Sequence, residues 1–153
     1  MLKTVVNRRI AKPRKKEKSS AYRVFVSHSS HDSWIANVMA QKIRNAGAEI
    51  WLDEKDLAGG DFIIGEIIKG IEASQEAIVL ISPASIKSQW VALEIGAVLS
   101  QHKRVTPILI HTTYDAMAPL KDIQAKDINM FDQFLSELKR RIARYHHREK
   151  RRR

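Results

Sequence analysis

The 153-residue chain contains no cysteine, which removes disulfides, thiolate metal sites and thiol catalysis together. It also lacks an apolar run approaching the length of a membrane span. Its basic N-terminus carries no apolar stretch of the secretory type, so the chain reads as cytoplasmic. No glycine-rich fingerprint follows the first strand-like segment, which argues against a dinucleotide-dependent oxidoreductase. His28 and His31 share a polar stretch without paired acids or cysteines at ligand spacing, so neither a metal nor a resident cofactor is expected. No internal repeat is present.

What remains is a globular composition, 44% apolar and 29% charged, in a length that suits one domain with a proper core. The net charge of +10 sits at the two ends. Residues 1–20 hold eight lysines and arginines against Glu17, and residues 139–153 hold nine against Glu149, which leaves an acidic middle. The chain therefore divides into a basic N-terminal arm over 1–20, a domain over 21–145 and a basic tail over 146–153. Pro13 among basic residues predicts an extended or disordered arm. A pI of 10 points to nucleic acid or another polyanion, but that inference belongs to the ends alone, where solvated charge is the plain alternative.

Within the domain, short apolar runs alternate with helical periodicity. Tyr22 to Ser27 reads as a buried strand, followed by the polar loop HSSHD and a helix over Ser33 to Ala46 closed by Gly47. Trp34, Ile35, Val38, Met39 and Ile43 recur on that helix at core spacing, and Trp34 and Trp51 are expected in the core. Ala48 to Asp53 is a second strand. Phe62 to Ala73 is an isoleucine-rich helix, Glu76 to Ser82 a third strand stopped by Pro83, and Ser88 to His102 a helix. Val105 to Ile110 is a fourth strand in which Pro107 suggests an edge or a bulge. A short fifth strand is expected near Asp127 to Met130, then an amphipathic helix from Phe131 to about Tyr145.

This alternation predicts an α/β fold with right-handed crossovers, a flavodoxin-like, doubly wound parallel sheet of five strands in the order 2-1-3-4-5 with flanking helices. In such sheets ligands bind beyond the carboxyl ends of the strands, at the switch point between strands 1 and 3. His28 and Ser29 follow strand 1, Asp53 follows strand 2, and Ser82 with the segment leading to Trp90 and Glu94 follows strand 3. Trp90 and Glu94 stand four residues apart, on one helix face. Glu94 is a lone carboxylate in a nearly charge-free helix that Ser88 can cap, and from spacing alone it reads more readily as a helix acid bonded to backbone or solvent.

Three stretches on this rim, in this order, resemble the TIR domain family. They are VFVSHSSHD (Val24 to Asp32), IWLDEKDLAGGD (Ile50 to Asp61), which is similar to the family's BB loop and its strand, and SPASIKSQWVALEI (Ser82 to Ile95), which carries the family's Trp-x-x-x-Glu. The resemblance covers about Tyr22 to Tyr145 and implies one of two functions. Enzymes of the family cleave NAD at the nicotinamide–ribose bond with a glutamate at the position of Glu94, whereas other members only self-associate. By this resemblance Glu94 is catalytic, Trp90 walls the site, His28 and Ser29 line it, and Asp53 with Leu57 flank it from the loop. NAD is then a substrate. The family's enzymes often carry a basic residue just after the first strand, where this chain has Ser29 and Ser30. Gly59 and Gly60 give the BB loop backbone freedom. The resemblance also implies self-association through Asp53–Asp61, a separate sensor or effector protein, and a place in antiphage defence. A phosphoacceptor on the same fold is disfavoured, since it needs an acidic pair after strand 1 and an aspartate after strand 3, where Ser27, His28 and Ser82 stand.

Overall fold

Three runs rich in β-branched and aliphatic residues, Arg23–Ser27, Glu76–Ile81 and Arg104–Leu109, form the middle of the sheet because they are apolar on both faces, a pattern that only a sheet covered on both sides can bury. The computed structural model describes residues 20–52 and 63–152. The N-terminal arm up to residue 19, and the loop that contains Asp53 and Leu57, lie outside the described residues. The elements are β1 (Arg23–Ser27), α1 (Ser33–Asn45), β2 (Glu49–Leu52), α2 (Ile63–Glu72), β3 (Glu76–Ile81), α3 (Pro83–Ile86), α4 (Gln89–Ser100), β4 (Arg104–Leu109), β5 (Lys126–Asp127) and α5 (Phe131–Arg151). All strand pairs are parallel, in the order β2-β1-β3-β4-β5. This is the flavodoxin-like order expected from the sequence.

The two-residue period of each strand sorts the core into two layers. Val24, Val26, Ile78, Leu80 and Ile108 face α1 and α5, where they meet Met39, Ile43, Phe134, Leu138 and Ile142. Phe25, Ala77, Val79 and Ile81 face α2 and α4, against Ile67, Ile71, Val91, Ile95 and Val98. Trp51 of β2 stacks on Phe25 at a centroid distance of 5.0 Å. Gly70 on α2 makes room for that indole, since a Cβ there would collide with the Trp51 ring. Pro107 is buried within β4, and the outer neighbour β5 pairs only with Ile108 and Leu109, so β4 is locally an edge at the proline.

Three details differ from the sequence reading. Trp34 is 77% exposed and Val38 is exposed too, because the buried stripe of α1 runs through Ala36, Met39, Ala40 and Ile43. Periodicity locates a stripe but not its edges, and Trp34 falls beyond this one. Pro83 does stop β3, but it also opens the short helix α3, where Ser82 and Ser85 form a reciprocal capping box. Finally, α5 does not end near Tyr145: its 21 residues run to Arg151. Arginine and lysine are good helix formers, and cations at a helix C-terminus complement the macrodipole.

The N-terminal end of the sheet is closed by a buried carboxylate. Glu76 opens β3 with no exposed surface. It accepts hydrogen bonds from Tyr22 Oη at 2.5 Å and from Arg141 Nε and Nη2 at 2.7 and 2.9 Å. Burial, then the bond to Glu76, pushes the Tyr22 phenol well above its usual range, so it stays a donor. The triad ties α5 to β1 and β3. Removing one member leaves a charge without compensation, so Arg141→Met should cost about 3 kcal/mol or more in urea unfolding. Adding Glu76→Gln should restore part of that loss, and an unchanged midpoint in the single variant would show that the triad does not fasten the helix.

Candidate functional site

At the opposite end of the sheet, a second carboxylate is buried. Glu94 on α4 has no exposed surface and accepts a hydrogen bond from Ser27 Oγ, the last residue of β1. A strand that ends in a hydroxyl is thus joined to the helix that follows its neighbour β3. Ser88 positions α4, its side chain accepting from the Val91 backbone N–H at 3.2 Å. Trp90 lies one turn before Glu94, half-buried against the α2–α4 layer of the core.

The loop after β1 is held by short-range polar bonds. His28 and Ser29 are both buried. Ser29 caps the 3-10 turn Ser30–Asp32, its hydroxyl accepting from the His31 N–H at 3.3 Å. His28 Nε2 lies 3.5 Å from Ser33 Oγ at the start of α1. Ser82 Oγ donates to Asp32 Oδ2 at 2.6 Å, which pins the loop after β1 to the loop after β3 across the switch point. Between these loops opens a cleft of about 570 Å3 lined by Ser29, Ser30, His31, Pro83, Ala84, Lys87 and Ser88. Five of its seven lining residues carry polar side chains, and one of them, Lys87, brings a single ammonium to the rim.

Of the residues singled out from sequence, His28, Ser29, Trp90 and Glu94 fall on this rim, with Ser29 in the cleft wall. Asp53 and Leu57 lie outside the described residues. Sequence reasoning missed three participants. Ser27 signals itself only as a hydroxyl closing an apolar strand, and Asp32 only as a turn residue. Lys87 is the one cation between β3 and α4, a position that the topology rule alone could have flagged. Among the described residues no group of three or more His, Asp or Glu side chains could hold a metal, and no helix is long and apolar enough to cross a membrane.

A family model described as "TIR domain" matches residues 24–142. The chain is 34% identical over 104 residues to a 2′ cyclic ADP-D-ribose synthase of Bacteroides thetaiotaomicron, a match that covers 65% of this chain and 36% of the synthase. It is 38% identical over 88 residues to Toll-like receptor 2 of Canis lupus familiaris, covering 55% of this chain and 11% of the receptor. The chain thus spans about a third and about a tenth of these two relatives. Among solved structures, the TIR domain of a Toll-related receptor from Hydra magnipapillata superposes with a TM-score of 0.64 at 22% identity, covering 76% of this chain and 97% of that domain.

The hydroxyl of Ser27 satisfies part of the hydrogen-bonding capacity of the buried Glu94 carboxyl. Ser27→Ala should therefore cost about 1–3 kcal/mol in urea unfolding, the range for stranding a buried hydrogen-bonding group. A Ser27→Ala protein as stable as the wild type would show that Glu94 is held by other means.

Proposed function

The chain belongs to the TIR domain family, and on that footing we propose that it cleaves the nicotinamide–ribose bond of NAD, with Glu94 as the catalytic residue. The observation that carries this reading is a fully buried carboxylate, bonded to Ser27 at the carboxyl end of β1, on the rim at the switch point of a parallel sheet. The similarity to a cyclic ADP-ribose synthase supports the same direction.

The reaction asks little of the protein in the way of proton transfer. The C1′–N bond breaks with its electron pair leaving on nicotinamide, which departs as a neutral molecule and needs no general acid. Positive charge develops on the ribose, and the site must stabilise it and orient the sugar. A single carboxylate in a low-dielectric pocket serves both ends, by Coulomb attraction and by accepting bonds from ribose hydroxyls. Trp90 then walls the sugar, and His28 and Ser29 bound the dinucleotide, with Asp53 and Leu57 assigned to the loop side by resemblance. Ser29 and Ser30 leave no cation directly after β1, and Lys87 across the cleft takes the phosphate-facing place instead. Attack on C1′ by water, with loss of its proton, gives ADP-ribose; attack by a ring nitrogen or hydroxyl of the ADP-ribosyl group itself, with loss of the proton it carries, gives a cyclised product that can act as a signal.

Full burial of Glu94 has a kinetic consequence: the ribose reaches it only after the covering residues move. The reading is therefore of an enzyme slow in isolation and activated by self-association through the Asp53–Asp61 loop. A separate protein triggers it or reads its product, in a defence response inside the cell. The other reading is a non-catalytic adaptor working through TIR–TIR contacts. The similarity to Toll-like receptors favours it.

The test is NAD consumption at high protein concentration with products separated, for wild type, Glu94→Ala and Glu94→Gln. The enzyme reading expects a specific activity that rises with protein concentration and a loss of about a hundredfold or more in both variants, as for removal of a preorganised electrostatic stabiliser. Equal NAD loss in all three proteins removes Glu94 from the chemistry. No NAD loss at any concentration, with downstream output intact in Glu94→Ala and abolished by Gly60→Pro, supports the adaptor.

A further inference from the structure

The C-terminal half of α5 has two faces of unlike character. One is buried in the core through Leu138 and Ile142, and the other carries Lys139, Arg140, Arg144, Arg148, Lys150 and Arg151 in solvent. The sole acid in that stretch, Glu149, is occupied by Ser20 Oγ at 3.3 Å and Arg152 Nη1 at 3.6 Å. Arg141 is committed to Glu76. Among the described residues none of the six exposed cations is paired with a carboxylate. We propose that this face of α5 is a docking surface for the phosphate backbone of duplex nucleic acid, bound without regard to sequence.

Geometry fits a rigid polyanion. At 1.5 Å rise per residue, Lys139 to Arg151 forms a row about 18 Å long, and duplex DNA presents one negative charge per about 1.7 Å of its axis. Arg140, Arg144 and Arg148 stand one turn apart along that row. Beside them is a notch of about 220 Å3 lined by Tyr22, Gln75, Arg141, Arg144, Tyr145 and Arg148, wide enough to seat a phosphate between two exposed guanidinium groups. Because these groups ride on a helix fixed by the Glu76 triad, their spacing is set before binding.

The same face lacks the features of the alternatives. A helix that lies in a membrane surface needs apolar side chains to insert, yet between Lys139 and Arg151 the exposed side carries only Ala143. Single strands are gripped by aromatic platforms, whereas Tyr145 is half-buried with its ring set edge-on to Tyr22 at 5.3 Å. Reading of base edges uses asparagine and glutamine beside arginine, and residues 139–151 contain neither amide. The surface also lies at the end of the sheet opposite the cleft, beside Tyr22 and the start of β3, so a bound duplex leaves the Glu94 rim open.

Binding of a fluorescein-labelled 20-base-pair duplex to the full chain, followed by anisotropy from about 50 to 300 mM KCl, tests this. The logarithm of the association constant should fall against the logarithm of salt with a slope of about −3 to −5, and two unrelated sequences should bind within about twofold of each other. Arg144→Gln with Arg148→Gln should weaken binding at least tenfold near 100 mM salt and reduce the slope by about 2. Lys150→Gln with Arg151→Gln, made as a second pair, should act in the same direction. Both pairs are exposed, and far-UV circular dichroism and the thermal midpoint should stay at wild-type values. Wild-type binding by both pairs would overturn the proposal, as would a salt-independent or sequence-selective interaction, or binding to phosphatidylserine vesicles with none to the duplex.

Discussion

A carboxyl group with no exposed surface must be satisfied where it sits, and the bond from Ser27 to Glu94 is part of that at the junction of β1 and α4. Because β1 and β3 are adjacent and parallel, their carboxyl ends open side by side, and the loops that follow must diverge to opposite faces of the sheet. The gap left by that divergence holds the Ser27–Glu94 bond, the Ser82–Asp32 bond and the polar cleft. The site is a consequence of strand order, and the hydroxyls keep it from collapsing into core.

The domain has a buried glutamate at each end of the sheet, and their partners differ in kind. Glu76 is matched by the Arg141 guanidinium in a bidentate pair and by the Tyr22 phenol, an arrangement that satisfies its charge and fastens α5. Glu94 accepts its bond from the Ser27 hydroxyl at the carboxyl end of β1, on the rim where the loops after β1 and β3 part. The face of α5 beyond the Glu76 triad then collects the exposed cations, which separates a basic end of the domain from a cleft end.

Much of this was legible in the sequence, for physical reasons that differ by element. Runs buried on both faces, such as Glu76 to Ile81, announce a doubly covered parallel sheet, and the topology rule then places His28, Ser29, Trp90 and Glu94 on one rim. The rule locates loops, however, and does not name hydrogen-bond partners, so the roles of Ser27 and Asp32 were visible only once the backbone was laid out. Trp34 was misplaced because a 3.6-residue period is satisfied by several adjacent stripes. The last two turns of α5 read as a tail because a run of like charge usually marks solvated chain, whereas here the helix carries it onward from Leu138 and Ile142.

The central claim is that the ribose of NAD comes to Glu94. A structure of the chain with a carbocyclic NAD analogue, which cannot lose nicotinamide by the same route, tests it most directly. The account predicts sugar hydroxyls within about 3.2 Å of the Glu94 carboxylate, the ring beside Trp90 and the pyrophosphate toward Lys87, with Glu94 no longer sealed. An analogue seated away from the switch point, or bound at saturation while Glu94 stays bonded to Ser27 and covered, would contradict it.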